Sequence, residues 1–392
     1  MYAFELSMNS RWTIISPQDD RVGRATAAIA AAGADWALFT TPESVMRVAG
    51  VEPPLEIALP LFAGGPTTVL LSAHGARALV LTAREGRGAD LADIDVVELY
   101  PGSSTTPFID QTTGYVEAVQ RALRRLRASG SLAIESRHIP HHTLWAAEPH
   151  FARVLAVDAE WEDACAEKTP TEIELLERAA EVVWAGQQAA RRIAKPGMTE
   201  LELFAEARAA MELAGGQRVP VTADLVTGVR CTAKGGALPT PRALRDGQPI
   251  LIDLAARVRG YWGDSCDSFN IGEPSEPWLR LRRAAASGLQ EGLNILRAGR
   301  RASDVDAEVR ATVGACGGSY AHHTGHGIGA RHHEEPRLIP HNPSRLRTGM
   351  VVTLEPGAYH EHTGGVRLEC MAVVGPDGGR VLGPTPEGVA AN

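Results

Sequence analysis

Asp253 and Asp264 stand eleven residues apart, on either side of a Val258-Arg259-Gly260 turn signal. ILID (250–253) reads as an apolar strand ending in a carboxylate, and YWGDSCDSF (261–269) would run back beside it. A hairpin centred between Val258 and Arg259 sets the two aspartates directly opposite one another. Like charges facing across strands repel, and burial raises the cost. A bridging divalent cation or a shared proton would relieve it, as would plain exposure to solvent. Further on, HHTGHGIGARHHEEP (322–336) holds histidines 322, 323, 326, 332 and 333. Glycines flank His326 and allow its backbone to approach a neighbour closely. VTLEPGAY (352–359) offers Glu355, and GGVRLECMAVV (364–374) reads as one strand with Arg367, Glu369 and Met371 on a shared face. Four carboxylates and one imidazole form a hard, oxygen-rich donor set. It suits Mn²⁺, Co²⁺ or Fe²⁺, with Zn²⁺ possible, and is unlike a thiolate site. Such an ion can activate water against a polarised carbonyl.

An internal repeat positions these groups. At an offset of 102 residues, Gly197 falls on Gly299, AEARA (205–209) on AEVRA (307–311), and Gly215-Gly216 on Gly317-Gly318. Leu244-Arg245 falls on Leu346-Arg347, Gly247 on Gly349, and PILID (249–253) on VVTLE (351–355). This implies two similar α/β halves related by a pseudo-twofold axis, and it superposes Asp253 on Glu355. Thr171-Glu-Ile-Glu174 reads as a capping box that opens a long helix, ended by Pro196-Gly197. Thr199-Glu-Leu-Glu202 opens the next, which Gly215-Gly216 ends.

The preceding part of the chain alternates helix and strand signals. A helix is expected at 21–32, strands at 36–40, 67–73, 76–83 and 131–135, and an amphipathic helix at Val116–Ala128. It has no dense cluster of His, Asp or Glu and reads as a scaffold or partner-binding domain. At ~150 residues per domain, 392 residues suggest two. The expected boundaries are 1–160 and 165–392, in an α/β (α+β) chain.

Composition narrows the function classes. With 39 Lys+Arg against 47 Asp+Glu the net charge is −8, which argues against non-specific nucleic-acid binding. A hydrophobic fraction of 44% excludes wholesale disorder. Five scattered cysteines with no CxxC pair support neither a disulfide framework nor a zinc ribbon. Residues 57–76 lack charge but hold Pro60, Pro66 and three glycines, so they read as short strands and turns, not a membrane span. MYAFELSMNSRW lacks the pattern of a signal peptide, and a cytoplasmic location is expected.

The part from about 165 onward resembles the pita-bread metallopeptidases, the family of Xaa-Pro aminopeptidase, prolidase, methionine aminopeptidase and creatinase. The resemblance rests on the Asp–Asp spacing, GHGIG, LEPG, GGVRLE and KPGMTE (195–200). The first part is similar, more loosely, to the creatinase-type N-terminal domain, notably at TPESVMRVAGV (41–51). The resemblance implies a pita-bread catalytic domain with two divalent ions held by Asp253, Asp264, His326, Glu355 and Glu369. Asp264 and Glu369 would bridge the ions, and Glu355 would be general acid/base. His333, in HEEP, would bind substrate or the developing oxyanion. His322 would line the substrate pocket, and Arg367 would orient Glu369. The implied activity is hydrolysis of a peptide or amide C–N bond in a small substrate, by a homodimer, with neither nucleic acid nor membrane as partner.

Two positions depart from the family pattern. In KGGALPTPRAL (234–244) Gly236 occupies the place of the usual catalytic histidine, and in DSCDS (264–268) Asp267 replaces the usual arginine. Together they suggest an altered substrate, with Asp267 favouring a cationic or hydrogen-bond-donating group. Two alternative readings are creatinase-like hydrolysis of a small non-peptide amide or amidine, and a non-catalytic binding module on the same fold.

Overall fold

The computed structural model describes residues 21–53, 63–86, 91, 93–102, 108–232 and 237–390. The chain divides into two compact units, Met1–Cys165 and Ala166–Asn392.

The first unit carries helices α1 (Arg21–Ala31), α2 (Pro42–Ala49), α3 (Gln111–Arg125), α4 (His141–Ala147) and α5 (Asp158–Ala166). Its strands are β1 (Trp36–Phe39), β2 (Thr68–Ser72), β3 (Arg77–Thr82), β4 (Val96–Tyr100), β5 (Ser131–Ile134) and β6 (Arg153–Ala156). They form a six-stranded mixed sheet in the order β4-β3-β2-β1-β5-β6. β1, β2, β3 and β5 are the strands expected from the sequence. The unexpected β4 and β6 are the two edges; Glu98 interrupts the apolar run of β4, and β6 is a short strand that opens on Arg153. α3 starts earlier than Val116, because the Asp110 side chain accepts from the Thr113 amide at 3.1 Å and caps it. Of the uncharged stretch at 57–76, residues 57–62 lie outside the described residues, and the remainder contains β2 between turns.

The second unit contains α6 (Pro170–Ile193), α7 (Glu200–Gly215), β7 (Val221–Thr227), β8 (Pro249–Val258), β9 (Tyr261–Asn270), α8 (Glu276–Ile295) and α9 (Ala302–Ala315). It continues with β10 (Gly325–Gly327), β11 (Glu334–Leu338), β12 (Val351–Leu354), β13 (Gly357–His360), β14 (Gly364–Arg367), β15 (Cys370–Val374) and β16 (Gly379–Leu382). The sheets run β7-β8-β9, β11-β10-β12-β15-β16 and β13-β14.

The internal repeat is visible bond by bond. The Gly197 amide donates to the Leu244 carbonyl at 3.0 Å, and Gly299 to Leu346 at 2.8 Å. The Glu200 amide donates to the Arg242 carbonyl at 3.0 Å, and the Ala302 amide to the Ser344 carbonyl at 2.9 Å. The isolated bridge Thr199↔Ala243 recurs as Arg301↔Arg345. Each pair is related by the offset of 102. Gly197 and Gly299 occupy the same left-handed conformation, φ 89° and 88°, where a Cβ would be strained.

One helix start differs from the expected one. The capping box of α6 is Thr169 with Glu172, not Thr171 with Glu174. Both quartets have the Thr-x-x-Glu form, but Pro170 after Thr169 has the fixed φ that suits the first helical position. α7 is capped by Thr199 and Glu202 as expected.

Candidate metal centre

β8 and β9, ten residues each, form a hairpin whose turn is Arg259-Gly260, with φ 48° and 83°. Val258 therefore pairs with Tyr261, Asp253 with Cys266 and Asp264 with Ala255. The expected register, with Asp253 directly opposite Asp264, is wrong by two residues. The positive φ of both turn residues moves the centre of the hairpin one position onward. An even shift preserves the face, so both aspartates still project from the same side, on a diagonal. Nor does β8 stop at Asp253: it runs five residues further, to Val258.

His326 is the middle residue of the three-residue β10. A Cβ on Gly325 would fall on the Thr353 carbonyl oxygen, and one on Gly327 on the Glu335 carbonyl oxygen. The flanking glycines thus let β10 lie against its neighbours. His326 Nδ1 donates to the Gly327 carbonyl at 2.8 Å, which leaves Nε2 facing Asp264 Oδ2 at 3.6 Å and Glu355 Oε1 at 3.9 Å. Glu355 follows β12, and its amide is fixed on the Thr324 carbonyl at 2.8 Å. Glu369 precedes β15, its amide donating to the Cys266 carbonyl at 2.9 Å. Ligand atoms of Asp264, His326 and Glu369 all lie within 4.8 Å of one another, and all three residues are buried.

The electrostatics separate the carboxylates. Burial, then the charges of Asp264 and Glu355, push Asp253 well above the ordinary carboxylate range, against the pull of Arg367. Glu369 is pushed up by burial and by Asp264, Asp253 and Glu355. Burial also acts upward on Asp264, but the imidazoles of His326 and His332 outweigh it and hold that carboxyl low. Glu355 is likewise held below its usual range, its burial outweighed first by the hydrogen bond from His323. For His326 the carboxylates outweigh burial and raise its pKa. His322 and His333 are pushed down to about 4, chiefly by burial.

The structure brings together Asp253, Asp264, His326, Glu355 and Glu369, with His322 and His333 at the margin. His333 is exposed, its ring centroid 4.1 Å from that of His326. His322 is occupied by other partners: Nε2 meets the Tyr359 hydroxyl at 2.8 Å and Nδ1 the His323 carbonyl at 2.8 Å. Arg367 corrects an expectation. It binds Asp253 at 2.6 Å and reaches Asp224 at 3.5 Å and Glu355 at 3.9 Å, instead of orienting Glu369. The segment 364–374 is not one strand: β14 pairs with β13 and β15 with β12 and β16, so alternation breaks at Leu368-Glu369. Asp267 corrects another. It pairs with Ile252 on the opposite face of β9 from Asp264. There it is buried and bound by Arg191 and by Arg282 at 3.2 Å, so it is neutralised away from the acidic cluster. Gly236 lies outside the described residues.

Sequence reasoning assigned no role to three further residues. His323 Nε2 lies 2.9 Å from Glu355 Oε1, and His332 Nε2 lies 2.8 Å from Asp264 Oδ2 with its ring stacked on Trp262 at 5.0 Å. Asp224 pairs in register with Asp253. The offset of 102 that maps Asp253 onto Glu355 also maps Asp224 onto His326, and that was the available signal.

The sequence model of metallopeptidase family M24 matches residues 174–376, more than half of the chain and all of these groups. The chain belongs to metallopeptidase family M24. It is 29% identical over 220 residues to an Xaa-Pro dipeptidase of Pyrococcus furiosus, covering 56% of this chain and 63% of that protein. It is 28% identical over 207 residues to methionine aminopeptidase 1 of Bacillus subtilis, covering 48% of this chain and 80% of that protein. The match spans under two thirds of the Pyrococcus relative. The fold is shared with a Bacillus anthracis Xaa-Pro dipeptidase structure at a TM-score of 0.77 and 23% identity, covering 92% of this chain and 96% of that one. The mixed α/β pita-bread architecture of the family is thus that of this chain.

Proposed function

We propose that this chain is a divalent-metal-dependent hydrolase of a peptide or amide C–N bond, of the Xaa-Pro peptidase kind, acting on a small substrate. The observation that carries it is four converging carboxylates, from β8, β9 and the ends of two connecting segments, around a single buried imidazole. Asp264, Glu355 and Glu369 are at most 5% exposed. Buried charges of one sign are tolerated when paired or when they coordinate metals. Arg367 is the one guanidinium set against these four carboxyl groups, so the donor set fits divalent cations. Asp253, Asp264, His326, Glu355 and Glu369 would hold two ions, with Mn²⁺, Co²⁺ or Fe²⁺ suited to the oxygen-rich set. Bound there, the ions would supply Lewis acidity toward a carbonyl and lower the pKa of a water.

The chain's own residues would do the remainder. Glu355, held ionised by His323, is the proton acceptor at a carboxylate oxygen. Arg367 orients Asp253 and His332 orients Asp264. His333, exposed at the margin, meets the substrate. Glycine at 236 argues for a substrate that departs from a simple Xaa-Pro dipeptide, and Asp267 adds nothing to that argument. A homodimer in the cytoplasm belongs to the same proposal, and size-exclusion chromatography checks the assembly.

The test is to strip the purified chain with EDTA, reload it with Mn²⁺ or Co²⁺, and screen Xaa-Pro dipeptides, longer Xaa-Pro peptides and small amides. Hydrolysis that returns with metal and disappears with EDTA is expected. Turnover indifferent to EDTA, or none on any substrate by the metal-loaded chain, would overturn the proposal.

A further inference from the structure

A second donor set meets the same imidazole. His323, His326 and His333 each place one ring nitrogen within 4.8 Å of the other two. The ring centroids lie 5.4 Å apart for His323–His326, 4.1 Å for His326–His333 and 6.2 Å for His323–His333. Because His326 Nδ1 is committed to the Gly327 carbonyl, its Nε2 must serve both this set and the Asp264–His326–Glu369 set. The three imidazoles grade from buried His326 through half-buried His323 to exposed His333, so an ion can enter from the His333 side and keep a position open to solvent. Two carboxylates adjoin the set without belonging to it: Asp264 at 3.6 Å from His326 and Glu355 at 2.9 Å from His323. They lower the cost of bringing a double positive charge among the rings.

Three imidazole nitrogens select differently from carboxylates. Imidazole suits zinc, copper and nickel, whereas carboxylate suits magnesium and manganese. Around a zinc ion with Zn–N of ~2.0–2.1 Å, three tetrahedral donors are roughly 3.3 Å apart. The set, with nitrogens within 4.8 Å of one another, therefore needs to close by up to roughly 1.5 Å, through side-chain rotation at His333 and His323. We propose that His323, His326 and His333 form a nitrogen-rich site for one zinc-class ion, an alternative at His326 to the carboxylate set. The site shares His326 with the centre proposed above but does not require that centre to be occupied.

X-ray absorption at the zinc edge, on the full chain loaded with one equivalent of zinc, counts the imidazoles directly. About three are expected on this donor set, where the carboxylate set would give about one. His333→Gln should remove one imidazole from the count and weaken zinc binding by at least about tenfold, while manganese affinity moves by less than about twofold because that ion takes oxygen donors. A wild-type spectrum with a single imidazole would overturn the proposal, and so would zinc affinity unchanged in both His323→Gln and His333→Gln. Zinc held by three imidazoles in a chain that binds no manganese would support this site and sink the carboxylate centre, so the two readings fail separately.

Discussion

Glu355 and Asp267 are both buried acids with cationic partners, yet they belong to different chemistry. Glu355 faces the donor cluster with His323 at 2.9 Å. Glu355→Gln keeps the shape and removes the proton acceptor. Its kcat on whichever substrate the screen finds should fall by about 10²–10⁴, read from steady-state kinetics, with the thermal midpoint little changed. Asp267 lies on the other face of β9, between Arg191 and Arg282. Asp267→Asn leaves two cations short of a partner, and both can turn partly to water, since their side chains are 31% and 15% exposed. The loss should be about 1–3 kcal/mol in urea unfolding, with kcat changed less than about threefold. A large kcat loss without destabilisation would return Asp267 to the site. At this scale the donors were legible because each sits in a short, distinctive segment. The partner of Arg367 was not, because the break at Leu368-Glu369 depends on which strands β14 and β15 find, and no local pattern encodes that.

The elements carry the register on which those donors depend. Arg259 holds φ 48° without the Asn or Gly such a turn favours, and it is exposed. Arg259→Asn should raise stability by about 0.5–1 kcal/mol in chemical denaturation, because asparagine tolerates the left-handed region. A destabilised variant would mean that the Arg259 side chain, not the backbone, holds the turn. Arg-Gly is a weak hairpin signal, and for that reason the sequence suggests a centre one position too early. The repeat was legible through residue types alone, and the bonds at Gly197 and Gly299 explain why: the same tight turn must be made twice. β4 and β6 escaped notice because edge strands bury less, and their alternation is diluted by charged residues.

Taken over the whole molecule, the donor cluster makes stability depend on pH in a way that metal should reverse. Asp253 and Glu369 are raised, so the folded chain holds protons that the unfolded chain has released. His322 and His333, pushed down to about 4, and His142, lowered by burial, act oppositely, but chiefly below their ordinary value of 6.5. Above it the remaining contributions, including raised His326, share one sign. Folded groups that keep protons lose their advantage as pH rises. The EDTA-treated chain should therefore melt at lower temperature at pH 8 than at pH 6.5 in calorimetry. With saturating Mn²⁺ the trend should flatten or invert, because ligands bind metal deprotonated. A metal-free midpoint that climbs over that interval would contradict the assignment of the raised acids.

Elemental analysis of the dialysed, manganese-loaded chain beside its Glu369→Gln variant tests the convergence of these side chains on metal most directly. The wild-type chain is expected to retain about two ions and the variant about one or none. A wild-type chain that retains none, or a variant that retains as many as the wild type, would contradict it.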